Sequence, residues 1–440
     1  MRYIGTTGLT TAAFLCVCLC PGQQNAARAA VTTQVWASRT QDFLKGLGAN
    51  THLAWWNTSW GVGNGTWAGA VTKVETELAY IGVTMVRDVV PASAGLSAEY
   101  ALLGKAGIHF DTLQTVSNGT VALSSDIEAI ATFNTANPGT IIAYEGANEY
   151  NTNSYYINNV GSYGNLAWGL LDAELTHTAM LANSVTASLP LIAPATANTY
   201  SPPSLDSYVS YSNWHVYGGV GAQLQNNLAA CAALALATAP THPIIFTEMG
   251  ISSAAVSTSS WGVTGSAAVQ GVIDINALLD AHIDGVSDMF LYNLQDDHDA
   301  TDQSDNFGLF DAYGNAKAVA TDLHNLHAIL ADTGSSSLGF TVGTLGYGIS
   351  NLPATASSTL FEKSNGTYEL VIWNGNATVM NSSGKAVTPA TTQVTVNFAS
   401  AHSTVNVYDP MQGTTAIQTA GGSSSVTVGL STDPLIIEVD

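Results

Sequence analysis

The chain has 440 residues, of which 10 are Lys or Arg and 32 are Asp or Glu, giving a formal net charge of −22. Such an acidic chain repels nucleic-acid phosphates and anionic membrane surfaces, which excludes partners of both kinds. With 46% hydrophobic and only 10% charged residues, the composition also excludes disorder driven by low hydrophobicity and predicts a large buried core.

The first segment reads as an export signal. Arg2 precedes an apolar run from Leu9 to Cys20, and Ala27-Arg28-Ala29 offers small residues one and three positions before a cleavage point. The run is too short to span a membrane. Residues 1–29 are therefore expected to be a cleaved signal peptide and the protein to be secreted or periplasmic. Cleavage takes Cys16, Cys18 and Cys20 with it, leaves Cys231 as the one mature cysteine, and excludes an intrachain disulfide. Cys231 lies in an apolar helical run without cationic neighbours and reads as a small buried residue.

From about residue 45 to 330, short apolar runs alternate with amphipathic stretches. The runs fall near 46–53, 83–89, 108–113, 140–144, 191–195, 211–215, 243–247 and 286–292. Strands that are apolar throughout are buried on both faces, as in a parallel sheet wrapped by helices. Eight such units predict an α/β fold, a (β/α)8 TIM barrel over residues 30–332. Beyond residue 335 the pattern alternates with period two. Leu360–Ser364, Asn365-Gly366 and Thr367–Trp373 read as a hairpin with a type I′ turn. Further short strands at 393–398, 404–408, 425–430 and 435–439 predict a C-terminal antiparallel β-sandwich over residues 333–440.

Barrel active sites lie at the carboxyl ends of the strands. Alternation along Ile141–Glu149 puts Glu145, Ala147 and Glu149 on one face, with Glu149 nearest the rim and Glu145 a deep structural acid. Alternation along Ile244–Gly250 groups Ile244, Phe246 and Glu248. Two carboxylates thus meet at one rim, the arrangement that glycosidic bond hydrolysis requires. Arg87 ends the second strand, where a buried cation needs an acidic partner. His215 and Tyr217 share a face of the sixth strand, within reach of a carboxylate or a sugar hydroxyl. His52, Trp55 and Trp56 follow the first strand, with Trp60 and Trp67 beyond. Flat rings beside polar side chains suit a sugar, which has an apolar CH face and a polar rim. There is no phosphate loop, zinc-ligand spacing or Gly-x-Ser-x-Gly elbow.

Asn148-Glu149, His215-x-Tyr217, Thr247-Glu248, Arg87 and Asn306-Phe307-Gly308-Leu309-Phe310 together resemble the retaining glycoside hydrolases of clan A. The resemblance covers most of residues 45–330. It implies Glu149 as acid/base, Glu248 as nucleophile, Asn148 as partner of a sugar 2-hydroxyl, and His215 and Tyr217 as supports of the nucleophile. It implies a carbohydrate substrate with β-linkages and no cofactor. The clan often carries Trp at the end of the eighth strand, where this chain has Tyr292 and Asn293. Two other readings compete: a non-catalytic carbohydrate-binding protein on an inactive barrel, and a metal-dependent hydrolase built on the acidic loop 296–305. That loop matches no EF-hand spacing and reads as a solvated acidic segment. Asn57, Asn118 and Asn365 sit in Asn-x-Ser/Thr triplets open to glycosylation in a eukaryotic secretory path. The scarcity of charge predicts a protein suited to an acidic medium.

Overall fold

The computed structural model describes residues 32–55, 67–117, 120–152, 156–157, 166–197, 203–218, 224–254, 264–297, 305–381 and 384–440. The export signal, Trp56, Trp60, Asn57, Asn118 and most of the 296–305 loop lie outside the described residues.

Two short strands, β1 (Thr33–Trp36) and β2 (Ser38–Arg39), lead into helix α1 (Thr40–Lys45). The barrel follows: β3 (Leu47–Asn50), α2 (Trp67–Ile81), β4 (Met85–Val89), α3 (Ala94–Lys105) and β5 (His109–Leu113). Two short strands, β6 (Val116–Ser117) and β7 (Thr120–Val121), pair with each other ahead of α4 (Leu123–Ala136) and β8 (Ile141–Glu145). Then come β9 (Tyr156–Ile157), which pairs with β7, α5 (Leu166–Leu181), β10 (Leu191–Ile192), β11 (Ser212–Tyr217) and α6 (Gln225–Thr238). The barrel ends with β12 (Ile244–Gly250), α7 (Ala267–Ile283), β13 (Val286–Leu291) and α8 (Ala318–Leu330). Parallel neighbours run β10, β8, β5, β4, β3, β13, β12, β11. A bridge between Ile192 and Tyr211 and the 3.0 Å bond from Ala193 N to Tyr211 O close β10 onto β11. All eight apolar runs enter this sheet. The fifth unit is reduced, with a two-residue strand and no helix before β11 among the described residues.

The barrel interior has two layers. Its floor is apolar: Met85, Ala143, Ile192, Tyr211, Ile245 and Phe290 pack together. Gly48 makes room for this layer, because a Cβ there would lie 2.5 Å from the Phe290 ring. Above the floor the inward side chains turn polar. Outward residues such as Val86, Phe110, Tyr144 and Phe246 join the helices in the main core.

The remaining strands are β14 (Thr344–Ser350), β15 (Ser357–Glu362), β16 (Tyr368–Trp373), β17 (Thr392–Tyr408), β18 (Gln418–Leu430) and β19 (Leu435–Val439). They form one mostly antiparallel sheet, in the order β1, β14, β17, β19, β16, β15, β2, with β18 on β17. Residues 33–39 therefore belong to this sheet and not to the barrel, a departure from the expected boundary at residue 333. The two strands expected at 393–398 and 404–408 are one strand, β17, with a register shift between Asn397 and His402. The hairpin turn also differs from expectation: Gly366 has φ 87° while Asn365 keeps a negative φ. Gly366 N bonds Lys363 O at 2.9 Å, so the turn is the longer loop that ends in a left-handed glycine, not type I′.

Alternation divides the sheet's two faces. Leu370, Ile372, Leu435 and Ile437 fill the sheet's own core, while Phe361, Val371, Trp373 and Ile436 belong to the barrel's. Phe361 meets Phe43 at 5.2 Å between ring centroids, and Trp373 Nε1 donates to Asp280 Oδ1 of α7 at 2.7 Å.

Candidate active site

The polar layer is organised by Arg87, at the centre of β4. A guanidinium has five N–H donors, and all five are placed. Nε donates to Glu145 Oε2 at 2.5 Å and Nη2 to Glu145 Oε1 at 2.9 Å. Nη1 donates to Asn50 Oδ1 at 2.9 Å and Glu248 Oε1 at 2.6 Å, and Nη2 also donates to Asn148 Oδ1 at 2.9 Å. One buried cation thus fixes the deep acid, the rim acid and the amide beside Glu149. Asn50 extends the brace by donating to Thr247 O at 2.9 Å.

Glu248 reaches the barrel centre by a route that alternation does not foresee. Ile245 and Thr247 face inward, and Phe246 faces the helices. Opposite β11, Asn213 pairs with Ile245 and His215 with Glu248, so three residues of β12 span two of β11. This bulge turns Thr247 and its neighbour Glu248 both toward the interior. Glu149 departs from expectation too. It stands four residues past the end of β8, with φ 46°, a left-handed backbone costing about 1–2 kcal/mol for a residue with a Cβ. Thr152 braces it through N to Glu149 O at 2.9 Å and Oγ1 to Glu149 Oε2 at 3.3 Å.

His215 sits between the two rim carboxylates. Its Nδ1 is 2.9 Å from Glu149 Oε1 and 3.3 Å from Glu248 Oε2. Its Nε2 is 3.1 Å from Thr247 Oγ1. That hydroxyl has one proton, placed toward Asn213 Oδ1 at 2.9 Å and Glu145 Oε1 at 3.1 Å, so it accepts from Nε2. With Nδ1 directed at both carboxylates, this setting favours the protonated form of His215. The electrostatics agree: burial pulls its pKa down, but the Glu248 charge and the hydrogen bond and charge of Glu149 outweigh it and raise the pKa. Burial would raise the Glu248 carboxyl, yet the charges of His215 and Arg87 and the hydrogen bonds from Tyr217 and Arg87 hold it below the usual range. Tyr217 OH donates to Glu248 Oε2 at 2.6 Å.

Deeper, Glu145 also accepts from Asn213 Nδ2 at 3.1 Å. Asp111 touches the same carboxylate, and burial followed by the Glu145 charge pushes its pKa well above the usual range. The neutral acid is the form in which two carboxyls can share a hydrogen bond.

Glu149, Glu248, Asn148, His215, Tyr217 and Arg87 thus stand in one hydrogen-bonded cluster. Its floor is ringed by Tyr292, which meets Tyr217 at 6.2 Å, Phe307 at 5.6 Å and His52 at 5.3 Å between centroids. Burial lowers the His52 pKa to about 4, leaving it uncharged at neutral pH. Trp55 ends a short turn, Leu53–Trp55, past β3; its side chain and Trp56 lie outside the described part. Asn50, Asp111 and Asn213 belong to the cluster without having been singled out from sequence, and Thr247 entered only as the residue before Glu248. Their common signal is a polar residue inside an apolar strand. Cys231 is buried, its thiol pushed up to about 12 by burial. Glu149, His215 and Glu248 offer donor atoms within 4.8 Å of one another, a set that a divalent cation could take. Arg87 already supplies positive charge to Glu248, and His215 Nδ1 contacts both carboxylates.

No protein-family model and no curated sequence matches the chain. Solved structures do. A family 39 glycoside hydrolase from the gut symbiont Bacteroides cellulosilyticus WH2 aligns with TM-score 0.59 and 13% identity over 91% of this chain and 82% of that one. A glucosidase from Croceicoccus marinus aligns with TM-score 0.54 and 12% identity over 83% and 92%. The catalytic domain of GH30 xylanase C from Talaromyces cellulolyticus aligns with TM-score 0.52 and 9% identity over 93% and 98%. The chain has the fold of these glycoside hydrolases.

Proposed function

We propose that the protein is an exported glycoside hydrolase that cleaves β-linked sugars with retention of configuration. The observation that carries the reading is the rim pair: an oxygen of Glu149 lies within 4.8 Å of one of Glu248. Retaining enzymes hold their carboxyl groups about 5–5.5 Å apart, whereas inverting ones leave about 6.5–9.5 Å for a water. The environments also divide the labour. Glu248, held ionised by Arg87, His215 and Tyr217, attacks the anomeric carbon. Glu149, the other carboxyl of the pair, gives its proton to the leaving oxygen. A water entering from the vacated side then gives its proton to Glu149 and hydrolyses the glycosyl ester. Asn148, His52, Tyr292 and the Trp55–Trp56 segment would bind the sugar.

The test is hydrolysis of β-linked polysaccharides and aryl β-glycosides by residues 30–440 between about pH 4 and 7. Glu248→Gln should cut kcat at least about a thousandfold while leaving the fold intact by circular dichroism. NMR should show the first-formed product with the substrate's anomeric configuration, and EDTA should leave the rate unaltered. Turnover surviving in Glu248→Gln would remove that residue as nucleophile. An inverted first product would replace the covalent route by a single displacement, and loss of turnover in EDTA would favour a metal-dependent route.

A further inference from the structure

The cations of the barrel mouth are few enough to be counted one by one. Eight connections follow the carboxyl ends of the barrel strands: 51–66, 90–93, 114–122, 146–165, 193–211, 218–224, 251–266 and 292–317. Lys73 of α2 reaches one of them, with Nζ 3.4 Å from Ala312 O, and their own sequences contain a single Lys or Arg, Lys317. That one cation is committed, with Nζ 2.8 Å from Asp296 Oδ1 and 3.3 Å from Asn306 O. Within the barrel, all five donors of Arg87 are taken by protein acceptors. His215 is engaged between Glu149, Glu248 and Thr247. His52 is uncharged at neutral pH, its pKa lowered to about 4 by burial. The other histidine of these connections, His298, is flanked in sequence by Asp297 and Asp299. Glu149 and Glu248 themselves face the incoming sugar.

An anionic substituent on the reacting sugar would lose its hydration at this mouth, meet two carboxylates and find there no uncommitted cation among the described residues, a combination that disfavours its binding. The same connections are rich in Trp, Tyr, Asn, Ser and Thr, which supply flat rings and neutral hydrogen-bonding groups. We infer that the site takes uncharged glycans and rejects those bearing carboxylate, sulfate or phosphate on the sugar held between Glu149 and Glu248. This specificity rests on the glycosidase reading above.

Two assays test it together. The first compares kcat/KM for 4-methylumbelliferyl β-glycosides in matched pairs that differ only at C6, glucoside against glucuronide and galactoside against galacturonide. A pair that is turned over should favour the neutral member by roughly a hundredfold. The second measures binding of Glu248→Gln to an array of neutral, uronic-acid and sulfated β-glycans. Loss of a negative charge biases this variant toward anions, so its preference for neutral glycans is a stringent result. Equal or faster hydrolysis of the uronide, or tighter binding of anionic glycans, overturns the inference while leaving a glycosidase. Binding of neutral glycans alone, without hydrolysis of any substrate, supports the charge selection and overturns the glycosidase reading. Neither binding nor hydrolysis of any glycan overturns both.

Discussion

Arg87 is 4% exposed, and a buried guanidinium persists only where its charge and its donors are both matched. Its partners use the planar fork on two sides at once: Glu145 takes Nε and Nη2, and Glu248 with Asn50 takes Nη1. Lysine offers one point charge and cannot span these positions. Arg87→Lys should therefore leave a buried carboxylate unpaired and cost about 3–5 kcal/mol in denaturant-induced unfolding. A variant within about 1 kcal/mol of the native protein would mean that the network is dispensable. Thr247 makes a finer probe, because Thr247→Val preserves shape and removes only the hydroxyl between His215 and Glu145. Loss of that hydrogen bond should cost about 1–3 kcal/mol in stability, and the pH profile of kcat should shift as His215 loses its partner. Arg87 was legible in the sequence because basic residues are scarce and this one interrupts an apolar run. Glu149 and Glu248 were legible for a similar reason. The Thr247 hydroxyl was not, since threonine is common in strands and its direction depends on where β12 bulges.

The same bulge shows which parts of an element are written locally. That residues 244–250 form a strand follows from the apolar run that opens it, and all eight barrel strands were recognisable on that basis. Which side each residue faces follows from pairing with β11 and β13, where the register shifts more than once. A one-residue slip reverses every side chain beyond it. The strands β1 and β2 were illegible for another reason. They span four and two residues, too few for a periodicity, and β1 finds its partner in β14, at the far end of the chain. Gly48 carries a prediction at this scale. Its hydrogen faces the Phe290 ring in the barrel floor, so Gly48→Ala should overpack that layer and cost about 1–3 kcal/mol. Adding Phe290→Leu should recover most of the loss, since neighbours that share one space are not additive. Thermal unfolding of the two single variants and the double variant decides it. An innocuous Gly48→Ala would show that the floor is loosely packed.

Across the whole molecule the buried carboxyls set the response to pH. Burial raises Glu77, Asp88, Asp172 and Asp322 to about 7, and Asp126 and Asp280 to about 6. In the unfolded chain all of them titrate near about 4. Between these limits the folded state binds more protons than the unfolded one, so stability rises as pH falls. His215 acts in the same sense: its raised pKa gives a contribution that is present below its unfolded value and lost as pH rises through the folded one. Partial neutralisation of the −22 net charge adds to the trend by easing self-repulsion. Glu248, Asp311 and Asp332 oppose it, because their folded pKa values are lowered. Their contribution is lost only as pH falls through those lowered values. The stability maximum is thus expected near pH 4–6, on the acidic side of the usual range of about 5–8. Thermal unfolding at constant ionic strength should give a midpoint higher by about 5 °C or more at pH 5 than at pH 8. A flat or falling midpoint over that interval would mean that these carboxyls enter the folded state already ionised.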